Sequence, residues 1–272
     1  MSIFIVAVVH EFGHGVIARV HKIPLKGTGF AFLSFIVPIL PAAFVEPDET
    51  SLTHRKPKER LSVYAAGPFA NILLGVLVFG ALFAMSPISD AIFEPAGVEI
   101  ISFTKDSAAQ IAGLEAGAII TEVGDMDVRS VKDLHTAVGT LSTNDLAIVD
   151  TIDGKKFSFT PDIAPEDSSR ALLGIRVRGY VKEKITFLEN YPIWLADIFK
   201  WFSGLLFWIF ALSLGIGLFN LLPVGPLDGG HMSRVVLTKF IKDKKKAVKM
   251  WAYISLFFVS VILVNLLFGI FS

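Results

Sequence analysis

Apolar and charged positions fall along this chain in blocks rather than residue by residue. Leu61–Ser89, Trp201–Leu227 and Met250–Ser272 contain no charged residue, and each is longer than the roughly 20 residues a helix needs to cross a hydrocarbon core. A fourth apolar run, Met1–Val9, continues through His10, Glu11 and His14 before the first cation at Arg19. Read as one helix from Met1 to Val20 it is about 30 Å long. It is too long and ends too polar for the apolar region of a signal peptide, and no small-residue cleavage site follows it. The pattern predicts a multi-pass α-helical membrane protein with about four spans.

Between the second and third spans, from Ser89 to Asp197, the composition is that of a soluble α/β domain. Val98–Phe103 and Ala147–Ile152 alternate and are rich in β-branched residues, as strands are. Asp153-Gly154 then makes a hairpin turn into a return strand over Lys155–Thr160. Ser130 is placed to cap a helix over Val131–Leu141 that carries Leu134, Val138 and Leu141 on one face. The run from Asp106 to Thr121 holds a short helix, a glycine stop and a strand. With Val123-Gly124-Asp125 and the helix after it, this run resembles a PDZ domain of the bacterial, circularly permuted kind, over residues 92–184. Gly117-Ala118 stands where such domains carry Gly-Asp before the strand.

Two segments fit neither class. Gly27–Val45 is apolar but carries Gly27, Gly29, Pro38 and Pro41, too many breakers for a spanning helix. Phe30, Phe32 and Phe35, interleaved with small residues, point to extended strands. Two readings stay open: a hairpin dipping into the bilayer, where non-helical backbone needs protein or a wet cavity beside it, or a loop at the interface. Ile185–Lys200, with Tyr191 and Trp194, reads as an amphipathic stretch at the headgroups ahead of the third span. Arg55, Lys56, Lys58 and Arg60 lie between spans one and two, and Lys242, Lys244, Lys245, Lys246 and Lys249 between spans three and four. Basic residues in short connections mark the cytoplasmic side, so both termini and the inserted domain are expected on the far side. The chain therefore divides into 1–88, 92–184 and 185–272.

Composition narrows the function classes. Only 18% of residues are charged, against roughly 25% in soluble domains. Basic and acidic residues balance at 25 each, which argues against a nucleic-acid partner, because phosphate neutralisation needs a basic excess. The absence of cysteine excludes disulfides, thiolate metal sites and a cysteine nucleophile. A serine mechanism fares no better, since Ser203-Gly204 has no histidine to serve it on any span.

The strongest chemical signal is His10-Glu11-Phe12-Gly13-His14. Positions i and i+4 share a helix face, so both imidazoles reach one metal ion, and Glu11 can reach a water bound to it. Ionisable groups this far along an apolar helix are costly and functional by default; the bland alternative is a polar helix end at the interface. Two histidines leave a catalytic zinc one protein ligand short. Asp228 fits the vacancy, in Asn220-Leu-Leu-Pro-Val-Gly-Pro-Leu-Asp228-Gly-Gly-His231. Pro223 and Pro226 break the third helix there, and Gly229-Gly230 lets the chain turn closely. Zn²⁺ with ionised Asp228 and Glu11 sums to zero charge, which eases burial; the alternative for Asp228 is a surface helix cap. His231 is a rival ligand by spacing, or a histidine outside the ligand set. His21, His54 and His135 have no partner spacing and read as surface residues.

An intramembrane His-Glu-x-x-His on one span and Asn-x-x-Pro…Leu-Asp-Gly on a later one resemble the site-2 protease family of intramembrane zinc metalloproteases. The PDZ-like insertion resembles its bacterial and archaeal regulated-proteolysis branch, several of whose members carry a pair of such units. The resemblance implies one Zn²⁺ per chain held by His10, His14 and Asp228, with Glu11 as general base. It places the family's later-span asparagine on Asn220 and its Gly-x-x-x-Asn on Gly67–Asn71. Asn71 and Asn220 can then hold substrate backbone or an oxyanion, or serve as interhelical hydrogen bonds. The segment after the first span resembles the family's membrane re-entrant β-hairpin, which accepts substrate as an added strand. The implied partners are transmembrane substrate proteins and the bilayer of a prokaryotic cell membrane. A catalytically silent zinc-binding scaffold that recruits partners through the PDZ-like domain is the alternative. A metal transporter would need further ionisable sites along a path, and the spans carry none beyond this cluster.

Overall fold

The computed structural model describes residues 1–34, 38–142, 145–164 and 167–271. They form two compact units, Met1–Met85 with Ile198–Ser272, and Ser86–Asp197.

The first unit opens with α1 (Ser2–Val20). Past its end Ile23 is buried against Ala18, Leu52 and Val63, so the turn that leaves the helix is anchored. Strands β1 (Leu25–Ser34) and β2 (Pro38–Pro47) follow and pair antiparallel, with Thr28 opposite Val45 and Phe32 opposite Pro41. The breaker-rich segment is therefore extended, as its alternation predicts; Phe35 lies outside the described residues. Pro38 is the first residue of β2, where proline is tolerated, and parity accounts for the other two. Pro41 and Pro47 share parity with Val45, whose N–H points away from β1 toward Glu11. A proline there removes no ladder bond, which is the condition for proline in an edge strand. Asp48 caps the short α2 (Glu49–Thr53) by accepting from the N–H groups of Thr50 and Ser51. The long α3 (Pro57–Ile92) starts on a proline, whose missing N–H costs nothing in a first turn.

The second unit runs β3 (Phe93–Phe103), α4 (Ala108–Ile111), β4 (Ile119–Val123), β5 (Met126–Asp127), α5 (Val131–Gly139), β6 (Ala147–Thr151), β7 (Lys156–Phe159), β8 (Asp162–Ala164), β9 (Asp167–Leu172), β10 (Ile175–Glu183) and α6 (Ile185–Asn190). The main sheet has the order β10-β3-β4-β6-β7, with β5 on β4 and the β8–β9 hairpin separate. Its core joins Val98, Ile100, Ile120 and Val149 to Leu134 and Ala137 of α5. The expected cap is present as a full capping box between Ser130 and Asp133. Gly113 ends α4 at φ 94°, a conformation that favours glycine. The sequence pattern missed β10, where Gly179 and two register shifts interrupt the alternation.

The third spanning helix, α7 (Ile193–Asn220), begins earlier than Trp201. The expected amphipathic stretch over Ile185–Lys200 is thus divided. Only α6 is a separate helix, and Ile193–Lys200 are the first turns of α7, because Pro192 breaks the chain and the apolar residues after it continue without interruption. The chain breaks helix after Asn220 as Pro223 and Pro226 require, then forms α8 (Asp228–Phe240) and α9 (Lys244–Phe271). The Trp251 indole donates to Gly230 O at 2.8 Å and Ser255 Oγ to Pro223 O at 3.0 Å, pinning the broken segment to α9. Four of these helices, α1, α3, α7 and α9, are long and apolar enough to cross a membrane.

Candidate metal centre

Three elements of the first unit converge. From α1, the i, i+4 spacing puts His10 and His14 on one face, as the sequence predicts. From α3, Val63, Gly67 and Asn71 form a facing stripe at the same spacing. From α8, Asp228 is the first helical residue. Its approach depends on Gly229 and Gly230: a Cβ on either would run into backbone, at Leu221 and Leu222 for the first and Val224 for the second. The need for glycine here is close approach rather than an unusual φ.

The ligand atoms stand at one point. His10 Nε2 lies 3.2 Å from His14 Nε2 and 3.1 Å from Asp228 Oδ2, and His14 Nε2 lies 3.4 Å from Asp228 Oδ1. The side chains are 11%, 12% and 14% exposed. Tetrahedral zinc with bonds of about 2.0–2.1 Å has donor–donor edges of about 3.3 Å, so this triangle fits the ion. The chemistry behind the ligands fits too. His14 Nδ1 donates to Val63 O at 2.8 Å, which fixes the tautomer and turns the Nε2 lone pair inward. The Asn71 amide meets His10 Nδ1 at 3.1 Å. With Oδ1 on that side, an orientation equal in shape to its flip, it holds His10 in the same way. Asn71 is fully buried, and the far end of its amide has no hydrogen-bond partner among the described residues. Gly67 leaves the room: a Cβ there would overlap the Nε2 atoms of both imidazoles.

Glu11 Oε2 accepts from Val45 N–H at 2.9 Å. A cleft runs past Glu11, His14 and Asp228, between Val45 of β2 and Tyr64 of α3. His231 is outside the ligand triangle and stacks on Tyr64, ring centroids 5.0 Å apart and 15° from parallel. The Asn220 amide donates to Ile216 O in its own helix at 3.1 Å. Of the remaining histidines, His21 bonds Ser62 Oγ at 2.6 Å and His54 donates to Thr50 O at 2.7 Å. Sequence reasoning missed Val63, Val45 and Tyr64. The stripe on α3 carried a signal for the first; register in a hairpin carried none for the second.

A family model described as peptidase family M50 matches residues 1–262. A candidate zinc metalloprotease of Mesorhizobium japonicum is 27% identical over 227 residues, covering 64% of this chain and 60% of that one. An uncharacterized protein of Methanocaldococcus jannaschii is 26% identical over 245 residues, covering 90% of this chain and 58% of its own. A candidate zinc metalloprotease of Streptococcus pneumoniae is 28% identical over 226 residues, covering 68% and 51%. The chain thus spans between 51% and 60% of the length of these relatives. Among solved structures, a PDZ domain of an SdrC-like protein from Listeria innocua aligns with 31% of this chain and 96% of its own at 22% identity, TM-score 0.26.

Proposed function

Because the chain belongs to peptidase family M50, we propose that it is an intramembrane zinc metalloprotease that hydrolyses peptide bonds in or beside transmembrane segments of membrane proteins. The observation that carries the reading is the triangle of His10, His14 and Asp228, with Glu11 lining the cleft that His14 and Asp228 also line. A zinc ion held there would lower the pKa of a water and polarise the scissile carbonyl. Glu11 takes the proton of the attacking water and returns it to the departing amine. Val63 and Asn71 hold the two imidazoles from behind. Asn71 is taken up by His10, which leaves Asn220 as the amide for substrate backbone or an oxyanion.

A helical substrate hides its carbonyls in its own hydrogen bonds, so it must open locally. The outer edge of β2 offers replacement pairing. Since Pro41 and Pro47 have no N–H and that of Val45 is held by Glu11, the donors left at that parity are those of Ile39 and Ala43. In this reading β1 and β2 reach into the bilayer, and the structure around Val45 supplies the protein neighbour that non-helical backbone needs at depth. Basic residues in both short connections put the cleft toward the cytoplasm. The inserted unit is then extracytoplasmic and PDZ-like. What supports this is the apolar groove between α5 and β10, lined by Leu134, Val138, Leu173 and Ile175. The outer edge of β10 is unpaired within the sheet.

The test is cleavage of a single-span substrate by the wild type and Glu11→Gln, with bound zinc quantified in both. Retained zinc with a loss of roughly 10²–10⁴-fold in rate is the expected result. Equal cleavage by the two would leave only the zinc-binding scaffold reading.

A further inference from the structure

One of the basic residues that flank the spans, Arg60, is only partly exposed. A cavity of about 400 Å³ lies where the first turn of α3 meets α8 and the start of α9, and it gathers Arg60, Arg234 and Lys244 around a single carboxylate, Glu49. Among the described residues no carboxylate pairs with any of the three cations. Arg60 Nε is buried without a hydrogen-bond partner. The Arg234 guanidinium lies 5.4 Å from the centre of the Trp251 ring, and Trp251 is itself tied to Gly230. The guanidinium is thus placed over the indole, and among the described residues no carboxylate takes its N–H groups.

This is the composition of an anion site. Guanidinium edges match phosphate oxygens two at a time, and lysine adds a point charge. A buried N–H with no acceptor is costly, and an anionic oxygen removes the cost. Location selects the source of the anion. Arg60 is the last charged residue before the uncharged run that starts at Leu61, and Lys244 opens the helix whose uncharged run starts at Met250. The cavity therefore lies where two spans pass from polar to apolar, the level of lipid headgroups. We infer that it binds the phosphate of an anionic membrane phospholipid. The cavity shares Tyr64 and His231 with the cleft of the metal centre, so the headgroup would lie against the wall of that cleft. The inference uses the membrane placement of the helices and not the protease chemistry.

The experiment exchanges the full-length protein from detergent into bilayers of phosphatidylcholine carrying a small fraction of phosphatidylglycerol, and measures lipid retained after re-extraction. Wild type, Arg60→Gln/Arg234→Gln, Lys244→Gln alone, and a control with the charge change of the arginine pair outside the cavity, Lys245→Gln/Lys246→Gln, are compared. Phosphatidylglycerol is expected to be retained selectively by wild type and control. A loss of about fivefold is expected for Lys244→Gln and about thirtyfold for the arginine pair. A single symmetric peak on gel filtration in detergent reports folding of each variant, and Lys244→Gln decides the matter if the arginine pair does not fold. The inference is overturned if the control loses as much as the pocket variants, if phosphatidylcholine is retained equally, or if millimolar inorganic phosphate displaces the bound lipid completely.

Discussion

Glu11 Oε2 accepts a 2.9 Å hydrogen bond from the backbone N–H of Val45, which ties a carboxylate on the first helix to the outer edge of β2. The bond sets the direction of the carboxylate next to the metal triangle. It also makes the strand that would receive substrate a direct neighbour of the proposed base.

Val45→Pro removes that donor at a parity where β2 already carries Pro41 and Pro47. Zinc content should be unchanged, while the rate of cleavage of a single-span substrate falls roughly 10–100-fold, the worth of a hydrogen bond to a charged group. Val45→Ala, which keeps the N–H, should cleave like wild type. A wild-type rate in Val45→Pro would remove the bond from the account.

Gly67→Ala puts a methyl group onto both ligand nitrogens. Zinc should be lost outright, with the protein still recovered from membranes, as measured by metal analysis of the purified chain. Asn71→Ala leaves the ligands free but His10 unsupported. Its zinc affinity, read by competition with a chelator, should fall about 10–100-fold.

Asp133 lies in the capping box of α5, and its pKa is held below the usual 3.8, first by the Ser130 hydroxyl and then by the N–H groups of Arg129 and Ser130. A carboxylate depressed on folding contributes stability above its unfolded value and loses it as pH falls through the lower folded value. The protection of the α5 amides in the full chain, as exchange corrected for its intrinsic pH dependence, should therefore fall below about pH 4. Asp133→Asn should flatten that response. Ser130→Ala should cost about 1 kcal/mol at neutral pH by the same exchange measurement.

Much of the centre was legible because its signals are local or chemically extreme. His10, Glu11 and His14 announce themselves by helical spacing inside an apolar run, and Asp228 by ending a charge-free stretch at two prolines. Gly67 and Asn71 lie one helical turn apart, which was readable. That Asn71 meets the outer nitrogen of His10 depends on how closely α1 and α3 pack. Val45 could not be found from sequence, since its place beside Glu11 follows from hairpin register and from which edge faces α1. The same holds for β10, whose pairing with β3 is set by contacts far apart in the chain. That α7 begins at Ile193 was not legible, because aromatic residues near a helix start look alike whether they belong to a separate stretch or to the helix itself.

One metal ion is expected to join the first helix to Asp228. Zinc K-edge X-ray absorption on purified wild type, His10→Ala and Asp228→Ala tests it most directly. The expected wild-type spectrum has nitrogen and oxygen neighbours at about 2.0–2.1 Å with the outer scattering of two imidazoles, and each variant should lose the metal or one of those neighbours. Full zinc occupancy with an unaltered spectrum in Asp228→Ala would contradict it.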